Sequence, residues 1–240
     1  VLESGEYDVV LDDAAVATLL EFLADLAFNG LAHAEGRGAL SGRLGELVAA
    51  PAINLADSPQ APGTLPRAFD AEGVAKRHLP LIEDGVARGV VHDTRSAARA
   101  GARSTGHALE PGGGPDGPAP TNLVLAGGGA GSVADLCAPI ERGVYVTRLW
   151  YVNTVEPRNA VLTGMTRDGT FLIEDGLITR PLRNVRFTDS ALRILAATQE
   201  LTAGQRLVGE MDLYGRRFAT GVLCPALRAT GFRITGGSHS

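Results

Sequence analysis

The sequence predicts an α+β fold: a mainly antiparallel, curved sheet system with hairpins and a few covering helices. Three observations lead to it. The run Val144 to Val152 is extended in character, rich in β-branched and aromatic residues. Asp84-Gly85 and Asp175-Gly176 each join two apolar runs, and Asp-Gly suits the tight hairpin turn because both central residues need positive φ. Helical periodicity is clear in Ala14 to Phe28, where Val16, Leu19, Leu20, Leu23, Leu26 and Ala27 recur near the 3.6 period.

Composition sets limits on function. The chain has 240 residues, 45% apolar and 20% charged, enough for one large domain or two small ones with a substantial core. Its net charge of -5 comes without any run of Lys or Arg, which argues against nucleic-acid binding. Cys137 and Cys224 lie far apart in apolar surroundings with no Cys-x-x-Cys pair, as expected of buried free thiols in a reducing cytoplasm. Glu21 and Asp25 interrupt the apolar run Ala14 to Phe28, so it is not a membrane span.

Taken in order, Tyr7 to Leu11 reads as a strand. Asp12 or Asp13 then caps the helix, and Asn29-Gly30 ends it. Thr18, Glu21 and Asp25 share its wet face. Pro51 to Ala56 is a short strand. Phe69-Asp-Ala-Glu-Gly-Val74 carries two carboxylates, Asp70 and Glu72, suited either to acid–base work or to fixing a turn and pairing with Lys76 or Arg77. His78 to Val91 forms the first Asp-Gly hairpin. Its Leu81-Ile-Glu-Asp-Gly85 recurs as Leu172-Ile-Glu-Asp-Gly176, an echo too short to signal a solenoid.

The densest polar cluster of the first half, His92-Asp93-Thr94-Arg95 and Ser104-Thr-Gly-His107, brackets a short helix. His92, Asp93 and His107 offer metal-ligating groups, but spacing across a helix is not diagnostic. Around Ser104, Ala102 stands where the Gly-x-Ser-x-Gly elbow of hydrolases needs its first glycine. His33-Ala-Glu35 matches part of a deaminase motif without the later Pro-Cys-x-x-Cys. Pro111 to Pro120 is a low-complexity loop. Thr121 to Leu125 is a strand. Gly127 to Gly131 leads into a helix over Ser132 to Glu141, with neither P-loop nor Rossmann spacing. A turn over Asn153 to Asn159, a tight turn at Arg167-Asp-Gly169, and strands Thr170 to Glu174 and Leu177 to Leu182 follow. Thr188 or Asp189 caps a helix through Leu201. Met211 to Tyr214, Phe218 to Leu223 and Phe232 to Thr235 close the sheet.

Several of these stretches together resemble a known family. Thr147-Arg-Leu-Trp-Tyr-Val-Asn153, then Leu162-Thr-Gly-Met-Thr-Arg-Asp-Gly169 with Phe171-Leu-Ile-Glu-Asp-Gly176, and Pro181-Leu-Arg-Asn-Val-Arg-Phe-Thr-Asp-Ser190 are similar to the C-terminal domain of the TldD/PmbA family. The likeness runs in order from Val9 to Ile234. The family was once described as modulators of DNA gyrase, and its catalytic members are zinc peptidases. The resemblance implies a separate α/β domain ahead of this one in family members, expected to be absent from this chain, with residues 1–240 forming the C-terminal domain alone.

The resemblance also locates the metal motif. Catalytic members carry His-Glu-x-x-x-His on the first helix, where the histidines bind zinc and the glutamate activates water. Aligned through Leu19-Leu20, the matching positions here are Glu21, Phe22 and Leu26. Cys224 precedes a Pro-Ala-Leu-Arg segment similar to that of the non-catalytic PmbA/TldE-like branch. The implied role is a cytoplasmic, non-catalytic subunit that binds no cofactor itself. It would pair with a zinc-bearing TldD-like partner, or self-associate, around an unfolded peptide. The alternative is an independent hydrolase using His92, Asp93, Arg95 and His107; these four and Ser104 are otherwise candidate peptide contacts.

Overall fold

The computed structural model describes residues 2–212 and 218–237. Strand β1 (Gly5–Leu11) leads into helix α1 (Asp13–Leu26). Asp12 is the cap, its carboxylate accepting the Asp13 amide at 2.9 Å. Ala15, Val16, Leu19, Leu20 and Leu23 are buried along one stripe, as the 3.6 period requires. Asn29 caps the short α2 (Gly30–Ala34) by accepting the amides of Leu31 and Ala32. Then come β2 (Leu55–Asp57), β3 (Leu79–Glu83), β4 (Val86–Ala87), α3 (Thr94–Ala100), β5 (Asn122–Leu125) and α4 (Val133–Cys137). The long β6 (Arg142–Glu156) and β7 (Val161–Glu174) are linked by a 3-10 turn at Pro157–Asn159. They are followed by β8 (Leu177–Pro181), β9 (Val185–Ser190), α5 (Ala191–Ala196), β10 (Thr198–Leu201), β11 (Arg206–Asp212), β12 (Phe218–Cys224) and β13 (Leu227–Gly237).

The described strands form two sheets, α+β and mostly antiparallel. One is ordered β1-β6-β7-β9-β13-β10, with β8 on β7 and an additional pairing of β1 with β13. That pairing closes β1, β6, β7, β9 and β13 into a ring. Closure gives the strands of the ring neighbours on both sides, which leaves them no open edge. The second sheet runs β11-β12-β5-β2-β3-β4, with β12 and β5 parallel. Helix α1 packs between the ring and this sheet, contacting β6, β11 and β12. The core runs through both sheets and includes Phe28, Phe187 and Phe232. The last two stack with ring centroids 5.5 Å apart. Each such burial contributes about 1.5–3 kcal/mol.

Both Asp-Gly hairpins form as predicted, with φ of 50° and 76° at Asp84 and Gly85, and 49° and 79° at Asp175 and Gly176. Several boundaries differ. Arg167-Asp-Gly169 is not a turn. It lies within β7 as a bulge, where Asp168 and Gly169 stand opposite Thr147 alone, with Asp168 at φ 63°. Likewise, Asn153 to Glu156 continue β6 before the 3-10 turn, because Leu162 and Thr163 pair with Thr154 and Asn153. The helix expected to run to Leu201 stops at Ala196, is capped by Ser190, and gives way to β10. There Thr198 and Leu201 pair with Ala229 and Leu227, so sheet pairing overrides local propensity. Helix α4 ends at Cys137 rather than Glu141. The strand expected from Pro51 occupies only Leu55–Asp57. Of Met211 to Tyr214, Leu213 and Tyr214 lie outside the described residues.

Candidate functional site

The polar centre of the molecule lies beside β2 and was only half visible in the sequence. Ile53, Leu55 and Asp57 are all essentially fully buried, so the period-two alternation of a strand turns a carboxylate onto the core face. Asp57 Oδ2 accepts the backbone amides of Thr121 and Asn122 at 2.7 and 2.9 Å. Its Oδ1 lies 3.1 Å from His107 Nε2 and 3.7 Å from Lys76 Nζ. The second contact is too long for a hydrogen bond and acts through charge, while the first sets the imidazole edge directly against the carboxylate. Lys76 Nζ donates to the Gly106 carbonyl at 3.2 Å.

Local sequence explains the placement. Asp70 Oδ1 accepts the amides of Glu72 and Val74, and its Oδ2 accepts that of Ala108. The Phe69-to-Val74 motif is therefore a carboxylate-organised turn tied to the His107 segment. The bridge between Phe69 and Ala75 presents Lys76 next in line. Gly106 has φ +77°, and a Cβ there would come within 2.8 Å of the Ala75 carbonyl oxygen. Only glycine admits that close approach.

Burial alone would push the Asp57 carboxyl up, but His107, Lys76 and the Asn122 amide outweigh it and hold it at about 2. Burial pushes the Lys76 ammonium below its usual range, against the pull of Asp57 and Asp70. Lys76, His107 and Thr121 line a cleft of about 240 Å³ together with Arg67, Asp70 and Phe69, whose ring is largely exposed.

The predicted cluster is only partly assembled. Thr105 Oγ1 connects its two histidines: it accepts the His92 amide at 2.7 Å and lies 2.9 Å from His107 Nδ1. The His92 ring sits 3.2 Å from Ser96 Oγ, and burial, with His33 and His107 nearby, holds its pKa below the usual value. Asp93 is the N-cap of α3 in a capping box with Ser96. Ser104 Oγ donates to the His92 carbonyl. Arg95 is exposed and donates to the Gly114 carbonyl. Glu72, the other carboxylate of its turn, accepts from the Thr94 amide and hydroxyl. His107 is thus the one member of the set that faces both the buried carboxylate and the cleft.

Sequence reasoning missed Asp57, because the strand was ended one residue early. It offers Lys76 only as a pairing partner for Asp70 and Glu72, although a further signal is present: Lys76 is the only lysine in the chain.

The positions matching the zinc motif lie elsewhere, on α1. Phe22 and Leu26 are partly buried and pack against the main core, and Glu21 is half-buried. Cys224, brought against the start of the same helix, donates its thiol to the Asp13 carbonyl, and burial pushes its pKa far up. One carboxylate beside two hydrocarbons and a protonated thiol does not fit a zinc ion, which takes at least three protein ligands. Among the described residues no group of three or more His, Cys, Asp or Glu is placed to hold a metal. Nor is any described helix long and apolar enough to cross a membrane.

Comparisons with known proteins agree with this architecture. TldE from Thermococcus kodakarensis superposes with a TM-score of 0.80 at 25% identity, covering 98% of this chain and 51% of that one. A metalloprotease of Methanothermobacter thermautotrophicus is 26% identical over 194 residues, 80% of this chain and 42% of that protein. A metalloprotease of Archaeoglobus fulgidus is 33% identical over 100 residues, 41% of this chain and 23% of that protein. The chain therefore spans about half the length of the relatives it matches. The model of the PmbA/TldA metallopeptidase C-terminal domain matches residues 4–236, nearly the whole chain, and the chain belongs to that family.

Proposed function

We propose that this chain is the non-catalytic member of a TldD/TldE-type peptidase complex in the cytoplasm, binding no metal of its own. It supplies scaffold and chamber wall to a zinc-bearing TldD-like subunit that cuts unfolded peptides. The observation that carries this reading is the packing of Phe22 and Leu26 into the core at the positions where a catalytic member would hold its glutamate and second histidine. Side chains fixed in that way stabilise the helix and leave those two positions without a base or a ligand.

An exposed aromatic surface supports the partner role. Beyond Leu149, strand β6 exposes Trp150, Tyr151 and Val155, while Val152 still packs against the core. Arg148 and Arg167 flank the Trp150 ring at 5.1 and 4.7 Å from its centroid. Exposed aromatics with arginine are the residues enriched at protein interfaces.

The test is to purify the chain alone and together with a subunit carrying His-Glu-x-x-x-His. A stoichiometric complex that cleaves unfolded peptide, with zinc confined to the partner, is expected. Trp150 is the only tryptophan, so its fluorescence reports whether β6 is covered on mixing. Stoichiometric zinc and peptidase activity in the lone chain would overturn the proposal. Self-association without any affinity for such a partner would replace it with a homo-oligomeric scaffold.

A further inference from the structure

We infer that the Lys76 amine is an attachment point for a small carbonyl compound, an aldehyde or a 2-oxo acid, held as an iminium ion in the cleft over His107 and Thr121. The inference does not rest on the subunit role. It begins with residue choice. The chain has 22 Lys and Arg residues, of which Lys76 is the sole lysine. For a purely structural pair with Asp57, an arginine would hold the carboxylate through a planar fork. What lysine offers instead is an amine that can lose its proton when buried and attack carbon.

The surroundings fit that chemistry. The Lys76 side chain is 2% exposed, lines the cleft, and makes one hydrogen bond, to Gly106, while Asp57 stays 3.7 Å away. Thr121 Oγ1, on the cleft wall beside His107, is a buried atom without a hydrogen-bond partner among the described residues, and so is Asn122 Oδ1 next to it, while His107 Nε2 has only the Asp57 carboxylate 3.1 Å away. Unsatisfied buried polar atoms are rare in native proteins and call for a ligand or ordered water. The lowered basicity of Lys76 agrees with the geometry.

The reaction balances without any redox partner. The Lys76 nitrogen forms a bond to the carbonyl carbon, and the C=O bond breaks. Two of the three ammonium protons leave with that oxygen as water. The third stays on nitrogen, so the product keeps its single positive charge. Asp57, which is buried, anionic and fixed by two amides, is the counter-ion before and after. His107 is the adjacent base that holds the proton shed before attack until the carbinolamine oxygen takes it up.

Glycolaldehyde and pyruvate, tested separately with borohydride, distinguish the two carbonyl sources. The expected result is one reduced adduct per chain, mapped to Lys76 by peptide mass. With the accepted probe it should form about a hundredfold faster than with a free lysine side-chain amine. Lys76→Arg keeps the charge opposite Asp57 and should remain folded by circular dichroism while giving no adduct at this site. Labelling at the terminal amine only, labelling at the rate of the free amine, or none from either probe would overturn the inference.

Discussion

Asp57 has no accessible surface, so its ionisation should be readable in the stability of the whole protein. Its carboxyl titrates at about 2 in the folded chain against 3.8 ordinarily. Below about 2 both states are protonated, and the carboxylate contributes nothing. As pH rises from 2 to 3.8 the unfolded state binds more protons than the folded one, so stability climbs, and above 3.8 the contribution is complete. At about 1.4 kcal/mol per pH unit, the gap is worth on the order of 2 kcal/mol at neutral pH.

Asp57→Asn tests this directly. It removes the charge that compensates Lys76 and leaves the amides of Thr121 and Asn122 facing a weaker acceptor. Breaking a buried pair from one side costs roughly 3–5 kcal/mol, more than the titration alone. Adding Lys76→Met should return part of the loss, giving a coupling of at least about 1 kcal/mol in a double-mutant cycle. Urea unfolding followed by circular dichroism at neutral pH and near pH 3 supplies both numbers. The reasoning is refuted if Asp57→Asn costs less than about 1 kcal/mol at neutral pH, or if it leaves the acid dependence between pH 4 and 2 unchanged.

Other consequences are simpler. His92 and His33 are both held below the usual 6.5 by burial, so the unfolded chain takes up their protons first as pH falls; stability should decline on acidifying below 6.5, and His92→Gln should flatten that decline in urea midpoints. Asp93→Ala removes the α3 cap and capping box, and should lower stability by about 1 kcal/mol without altering the Lys76 cleft. At Gly30 a Cβ would fall within 2.2 Å of the Val91 carbonyl oxygen and 2.4 Å of His92 Nδ1; Gly30→Ala should cost about 1–3 kcal/mol in thermal unfolding as the loop gives way. Burial raises Cys137 to about 11 and Cys224 further still, so neither thiol should react with iodoacetamide near pH 8 until denaturant is added.

The amino-acid order alone carries the fold class, both Asp-Gly hairpins and the first helix with its apolar stripe. These are local facts: φ preferences, capping groups and periodicity act over a few residues and need no distant partner. It also shows which side chains stand at positions 21, 22 and 26, a carboxylate and two hydrocarbons, because a side chain's chemistry is legible wherever the chain puts it. Other features are set by long-range pairing. Thr198 leaves the helix for a strand only because β13 lies alongside. Asp168 is a bulge only because β6 runs opposite. The Asp57–His107–Lys76 cluster joins residues up to 50 positions apart. Asp57 reads as a strand-end carboxylate and Lys76 as a surface cation until tertiary packing excludes water from both, and it is that desolvation which turns ordinary charges into a coupled site.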